Sequence, residues 1–515
     1  MSKVKNKYGQ YFTRKDIARF MTTLISAPKT VDVLEPSCGK GVFLDALQEA
    51  GYANVRGYEI DPSLSTEYDN VVHKSFIGVP TSEQYQVVIG NPPYIRWKNL
   101  EPELKEELQS SHLWNTYFNS LCDYLFLFIL KSIEHLNENG ELIFICSEYW
   151  MNTTHSASLR KYMCNHGYFK EIYHFKEASL FDGVTSSIVI FHYIKSTKLQ
   201  AKPPIDFFKY LRRDTPALEE LLSRQCFQKS QIPQFQPETR WLLATENTQR
   251  QLEALEKCCT VAEGLFEQKI TRIGDVCEIG NGMVSGLDSA FKVEDISQLS
   301  LQERHFLIHV LKAKDLAKFF CRSSSNYFFI PPGLSEESLQ ENYPNIFRHF
   351  QTFREQLAQR YAYNRKIPYW EFVFPRNLRL FTQDCDKIFI PCKERISKNK
   401  FFRFCYAPKG YYPLQDVTGL LRKKSCRESL EYILAYLNTQ EVFDWICYNG
   451  IMKGEIAEFS EAPIASIPFR TINWDKPQEV ALHDTISNEC IRLLSDHSAT
   501  HVAQINQAFS YLLSS

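Results

Sequence analysis

Residues Asn91-Pro92-Pro93-Tyr94 combine the groups needed to hold a planar amine for substitution. Two consecutive prolines fix φ and remove two backbone N–H donors, so the carbonyls around them face outward as acceptors instead of entering a sheet ladder. The Asn91 side-chain oxygen and the Pro92 carbonyl can then accept both hydrogens of an exocyclic NH2 group, and Tyr94 offers a flat face on which a base can stack. The amine of adenine is a poor nucleophile because its lone pair is conjugated with the ring. Two acceptors draw that pair out of conjugation and aim it at an electrophilic methyl group. This is positioning plus electrostatics, with the surplus proton lost after transfer. A surface turn uses the same residue types, so the weight of the tetrapeptide depends on what surrounds it.

The surroundings read as a nucleotide-handling sheet. Residues 86–90 form an apolar run that delivers the Asn91 loop to the carboxyl end of a buried strand. Upstream, residues 31–35 make a short β-branched strand that runs into Pro36-Ser37-Cys38-Gly39-Lys40-Gly41 and then a helical pattern over 42–47. Strand, Gly turn and helix open a βαβ unit, although a lone Gly-x-Gly also serves as an ordinary turn. The next strand, 55–61, carries Glu59 about 20 residues past that turn, where an acid would hold a ribose diol. A surface carboxylate at a strand end is the bland alternative. A third strand near 70–73 leads to Ser75-Phe76-Ile77. Ligands of open α/β sheets bind beyond the carboxyl ends of strands, so these loops are expected to converge on one crevice. Further on, residues 123–134 read as an amphipathic or buried helix, 141–146 as a strand, 156–164 as a helix, and 173–175 and 187–193 as strands.

At 515 residues the chain suggests two domains. With 44% hydrophobic and 23% charged residues it is globular, neither disordered nor fibrous. A net charge of −1 leaves room for local basic faces, such as Lys3, Lys5, Lys7, Arg14 and Lys15 before the first helix and five basic residues between 393 and 403. Either run could be only a solvated surface. The fifteen cysteines form no CxxC pair and none joins a His at zinc-ligand spacing, so no metal is expected and reduced thiols in a cytoplasm are. No apolar stretch approaches a membrane span, and the Lys-rich start lacks the apolar run of a secretory signal.

Residues 201–236 turn polar and Pro-rich and read as a linker. After it, residues 273–283 read as a strand and a Gly-rich turn. Tyr361, Arg365, Lys366, Trp370, Arg376, Lys393, Arg395, Lys398 and Lys400 interleave aromatic with cationic side chains, which suits a duplex groove. An aromatic core with solvated lysines would look similar at 14% aromatic content. Residues 430–438 and 443–445 read as structural helix.

A Gly turn after strand one, an acid after strand two and the Pro-Pro loop after strand four, in that chain order, resemble the S-adenosylmethionine-dependent amino-methyltransferases. Tyr8-Gly9-Gln10-Tyr11-Phe12-Thr13, ahead of a helix over 16–25, is similar to the segment that closes over the methionine moiety in gamma-class adenine-N6 DNA methyltransferases of the TaqI type. The resemblance is close over the first half and looser over the second. It implies an α/β fold: a Rossmann-like methyltransferase sheet with helices on both faces over residues 1–240, and a mixed α+β target-recognition domain over 241–515. It implies that Tyr11, Phe12 and Thr13 contact the cofactor, that Glu35 and the Pro36 to Gly41 turn (Ser37, Cys38 and Gly39 included) flank its methionine end, and that Glu59 and Ile60 hold its ribose and adenine. Asn91 and Pro93 border the same site. Where this family usually has an Asp, this chain has Ser75, so a neutral hydroxyl, or Phe76 with a backbone carbonyl, would meet the cofactor's adenine. Phe181, with Val184 and Thr185 nearby, matches the ring that packs on the extruded adenine opposite Tyr94, although a Phe before a turn is commonly core.

The reading that follows is site-specific transfer of methyl to the N6 of an adenine flipped from duplex DNA, in a restriction-modification system. Expected partners are double-stranded DNA and a separate endonuclease acting on the same site, with the chain working as a monomer. Two alternatives stay open: N-methylation of an RNA adenine or a protein glutamine amide, and a DNA-binding subunit with no activity. The large basic and aromatic second half weighs against the glutamine case, and the intact loops against the last.

Overall fold

Short apolar, largely β-branched runs build the amino-terminal half. In the computed structural model, described for residues 8–176, 178–181, 187–198, 201–263, 267–361, 365–396 and 399–514, the chain divides into two units, Met1–Gln249 and Arg250–Ser515. The first contains one nine-stranded sheet. Its strands are β1 (Val33–Glu35), β2 (Val55–Glu59), β3 (Val71–His73), β4 (Tyr85–Gly90), β5 (Leu136–Ser147), β6 (Gly167–Lys176), β7 (Ile188–Lys195), β8 (Ile205–Tyr210) and β9 (Phe227–Ile232). They lie in the order β3-β2-β1-β4-β5-β7-β6-β8-β9. Neighbours from β3 to β5 are parallel, while β7 runs antiparallel to both β5 and β6.

Alternation along the central strands decides which side each residue feeds. Val33, Val87, Ile89, Ile143 and Ile145 pack against α1 (Lys15–Thr22) and α2 (Val42–Glu49). Their neighbours Leu34, Val88, Leu142 and Phe144 pack on the opposite face. That face is covered by α3 (Pro102–Ser110), α4 (His112–Tyr117), α5 (Tyr124–Glu134) and α6 (Ala157–His166). A strand buried on both faces has no polar side, which is why these segments read as continuous apolar runs. Helix α5 is apolar all round and buried from Tyr124 to Ile133, and Asp123 caps it by accepting the Leu125 N–H (3.2 Å).

The stretch 201–236 is not a linker. It supplies β8 and β9 at the sheet edge, with Ile205, Phe207, Phe208 and Tyr210 buried. Its prolines, Pro203, Pro204, Pro216 and Pro233, and Pro237 just after it, all fall outside the two strands, where a missing N–H breaks no ladder. Trp241 also belongs to this unit: fully buried, it stacks on Phe235 (centroids 4.6 Å) and meets Trp150 and Phe169 edge-on. Trp241→Ala is expected to cost about 3–5 kcal/mol, measured as the loss of unfolding free energy in a denaturant titration; a loss under ~1 kcal/mol would contradict this packing.

The second unit is built on two four-stranded sheets. One orders Cys277–Asn281, Val417–Arg422, Lys387–Pro391 and Cys405–Ala407; the other orders Lys292–Val293, Ser325–Phe328, Leu307–Leu311 and Tyr411–Pro413. Helices Leu430–Leu437, Gln440–Asn449, Pro477–Asp496 and Ala499–Ser514 follow, a mixed α+β arrangement. Residues 273–276, expected as strand, form a single helical turn before the strand begins. Among the described residues no helix is long and apolar enough to cross a membrane.

Candidate active site

The sheet order reverses between β1 and β4, so the chains leaving these strands diverge and open a crevice. A cavity of about 320 Å³ occupies it. The turn after β1, the end of β2, Ser75 and Phe76 after β3, and Asn91, Pro92 and Pro93 after β4 all line this space. Tyr11, Phe12 and Thr13 close it from the amino-terminal side, and Ser37 Oγ donates to the Asn91 carbonyl (3.1 Å), joining its two halves.

The turn after β1 needs its glycines. Gly39 and Gly41 have φ of 55° and 77°, and a Cβ on Gly41 would lie 2.3 Å from the Tyr68 ring. A Cβ on Gly39 would come 3.5 Å from Phe12, narrowing the space between them. Glu59 braces the turn: one carboxylate oxygen accepts the Gly39 N–H (2.7 Å) and the other the Asp61 N–H (2.9 Å). Burial raises its carboxyl pKa above the usual value, and those two N–H groups oppose the shift. Each oxygen keeps a lone-pair direction for a ribose hydroxyl.

Glu35 is stranger. It is fully buried on the cavity wall, and among the described residues neither carboxylate oxygen has a hydrogen-bond partner at normal distance. Burial drives its pKa well above the carboxylate range, and the nearby Cys38 thiol acts in the opposite direction. An orphaned buried acid calls for a cation or a donor from a ligand.

Asn91 is held by its nitrogen. Nδ2 donates to the Tyr11 carbonyl (2.7 Å) and to Thr13 Oγ1 (3.1 Å), which fixes Oδ1 as the acceptor side of the carboxamide. The Tyr94 hydroxyl reaches Oδ1 (2.5 Å) and the Ile145 carbonyl (2.7 Å), and its single proton can serve one of them at a time. Burial pushes the Tyr94 phenol well above its ordinary pKa, so it stays a donor. Gly9, at φ 67°, lets the amino-terminal segment lie against this loop, since a Cβ there would meet Ile95 at 2.2 Å. Tyr94 stands beside the cavity lining, its ring 5.7 Å from Tyr11, and Tyr11 is 6.4 Å from Phe181. Phe181 is 5% exposed in the core cluster above α1, and Val184 and Thr185 lie outside the described residues.

Ser75 does not face the cavity as a free acceptor. Its hydroxyl caps the short helix Phe76–Gly78 by accepting the Ile77 N–H (3.3 Å), with the Tyr124 phenol beside it. Sequence reasoning missed Leu104, Tyr124 and Phe128 on the lining. The i, i+4 spacing of Tyr124 and Phe128 was the available signal, but a helix apolar on every side does not announce which face meets a ligand.

In the second unit Arg365 and Lys366 are exposed and Arg376 is half-buried. Trp370 is 6% exposed within the unit's core, edge-on to Tyr369, so its ring faces inward rather than toward a groove. Lys393 and Arg395 alternate outward on one strand while Glu394 between them is buried against Arg403. Lys400 is exposed; Lys398, together with residues 362–364, lies outside the described residues.

The chain is 41% identical over 509 residues to the type II methyltransferase M.HindII of Haemophilus influenzae, covering 98% of this chain and 97% of that one. It is 39% identical over 503 residues to M.HincII of the same species, again covering 98% and 97%. The chain belongs to the type II DNA methyltransferases. The Eco57I restriction-modification methylase family matches residues 43–181, a range that holds Glu59, Ser75 and the Asn91 loop of the crevice and begins after its glycine turn. The fold is shared with the solved structure of the type IIL restriction-modification enzyme MmeI in complex with DNA, at a TM-score of 0.56 and 12% identity over 97% of this chain and 72% of that chain. The methyltransferase modifies DNA at specific sites with S-adenosylmethionine as donor. Its crevice suits that cofactor: an unpartnered acid at Glu35, a glycine turn and a braced Glu59 fit a nucleoside that carries cationic groups.

Proposed function

We propose that this methyltransferase acts on the N6 amine of an adenine rotated out of a DNA duplex. The observation that carries the reading is the fixed Asn91 carboxamide: with Nδ2 tied to Tyr11 and Thr13, Oδ1 keeps a lone pair for an incoming amine hydrogen, and Pro92 supplies a second carbonyl. S-adenosylmethionine supplies an electrophilic methyl group when bound. The protein's share is to hold both amine hydrogens, to turn the nitrogen lone pair away from the ring, and to shut out water. Rotating a base out of the stack costs a few kcal/mol. The aromatic group Tyr94, Tyr11 and Phe181 supports an offset by stacking. Tyr11, Phe12, Thr13, Glu35, Pro36, Ser37, Cys38, Gly39, Glu59, Ile60 and Phe76 serve the cofactor in this reading, with Gly41 shaping the turn. The second unit serves as target reader, the chain works as a monomer in a cytoplasm, and a separate endonuclease cuts the same word.

Digestion of a duplex methylated with tritiated cofactor should return N6-methyldeoxyadenosine as the labelled nucleoside. Label in N4-methyl- or 5-methyldeoxycytidine would overturn the reading. With 2-aminopurine at the target position, Phe181→Ala should weaken the fluorescence rise on binding by several-fold, in line with the ~1–3 kcal/mol of a base–aromatic stack; an unchanged rise would remove Phe181 from the base pocket.

A further inference from the structure

Among the described residues, most guanidinium groups of the second unit are tied to the protein itself. Arg360 donates to the carbonyls of Ser285 (2.9 Å), Pro368 (2.9 Å) and Glu371 (2.8 Å). Arg403 holds Glu394 and the carbonyls of Ala313 and Leu316, Arg272 that of Ser466, and Arg422 that of Cys426. Arg365 and Arg376 differ. Both guanidinium carbons lie over one ring, that of Phe374, at 4.7 and 5.0 Å from its centroid. Among the described residues neither guanidinium donates a hydrogen bond or joins an ion pair.

The platform beneath them is rigid. Phe374 exchanges both backbone hydrogen bonds with Val284 (2.8 and 3.0 Å), and Arg376 N–H returns to the Phe374 carbonyl (2.8 Å). Asn377, at φ 53°, donates from Nδ2 to the Asn281 carbonyl (3.0 Å). The glycine-rich stretch singled out from the sequence makes this approach possible. A Cβ on Gly280 would meet Asn377 at 2.8 Å, and one on Gly286, at φ 89°, would meet Val373 at 2.5 Å.

A guanidinium laid on an aromatic ring is oriented and partly desolvated, while its in-plane N–H groups stay available at the edge. Two such forks lying on a ring whose own backbone is braced lose little rotamer entropy on binding. Their planar, paired donors match the O6 and N7 acceptors of guanine, whereas a phosphate needs only a charge that a flexible lysine also provides. We propose that Arg365 and Arg376, stacked on Phe374, read guanine in the major groove of the target word. The proposal rests on the second unit being the DNA reader and deepens that reading.

The test compares wild type with Arg365→Lys and Arg376→Lys, which keep the charge and lose the fork, on duplexes in which each guanine of the word is replaced in turn by 7-deazaguanine. Wild type should lose about 10-fold or more in methylation rate at the positions read, the size of a lost bidentate pair. The matching Lys variant should show no further loss there, and mapping of methylated sites should reveal a word relaxed at that position. Phe374→Leu, which removes the platform and keeps both arginines, should relax the same positions more weakly. Cofactor binding by calorimetry should match wild type in all three. An unchanged word, with affinity reduced equally on cognate and unrelated duplexes and a shallower salt dependence, would mean backbone contact only and would overturn the proposal. That failure is separable from failure of the adenine reading, which is judged from the labelled nucleoside and not from the word.

Discussion

Asn91→Ala lowers the single-turnover rate of methyl transfer by about 10³-fold, while duplex affinity stays within a few-fold of wild type. The magnitude is that of removing one preorganised electrostatic partner from a reacting centre, compounded by lost orientation. Two separate functions vanish with the carboxamide. Oδ1 is the acceptor that would grip the target amine, and Nδ2 anchors the Tyr11 carbonyl and Thr13 hydroxyl, which keep the amino-terminal segment over the cavity. Cofactor affinity should therefore weaken as well, by roughly a hydrogen bond or two. In the proposed reading the second unit holds the duplex, and the substitution leaves that unit unchanged. Filter binding and rapid-quench transfer of a tritiated methyl group separate the two quantities. Transfer at the wild-type rate would exclude Asn91 from the chemistry.

Glu35→Gln is expected to act in opposite directions on stability and on cofactor binding. In the free protein the carboxyl is fully buried without a partner, and burial holds its pKa well above the unfolded value of about 4.5. A raised acid contributes stability at low pH, below its unfolded pKa, and that contribution is lost as pH rises through the folded pKa. Glutamine carries no charge to desolvate. The variant should therefore match wild type at acid pH and become more stable than wild type as pH rises through that window, by ~1 kcal/mol or more. Cofactor binding should follow the reverse order. A cationic ligand favours the carboxylate, so wild-type affinity should rise with pH over the same window and proton release should accompany binding. The variant should bind about 10- to 100-fold more weakly, with a flat pH profile. Thermal melts of the free protein and calorimetry in buffers of different ionisation enthalpy read both effects. Equal pH dependence in wild type and variant would show that Glu35 does not titrate with ligand.

The crevice was legible because its chemistry is local. Glu35 and Glu59 end their strands while the glycine turn and Asn91 directly follow theirs, and strand ends are visible as the point where apolar alternation gives way to Gly, Pro and acids. The parallel arrangement then brings the ends together without further information. Edge strands were not legible. Residues 205–210 and 227–232 lie between prolines, and their β-propensity is realised only because a sheet edge is there to receive them. The aromatic and cationic residues of the second half looked alike in sequence, yet Trp370 fills the core, Arg403 ties backbone together, and Arg365 and Arg376 stand over Phe374.

The sequence by itself determined the residue types of the site, the order in which they leave the sheet, and the double-sided burial of the central strands, since each depends on neighbours a few positions away. Only the tertiary structure decided which groups are occupied and which are open. Asn91 is oriented by residues about eighty positions upstream, and among the described residues Glu35 is left without a partner while Arg365 and Arg376 lie over one ring with their donors uncommitted. Satisfaction of a polar group depends on what the folded chain brings within about 3 Å of it, and spacing along the chain does not encode that.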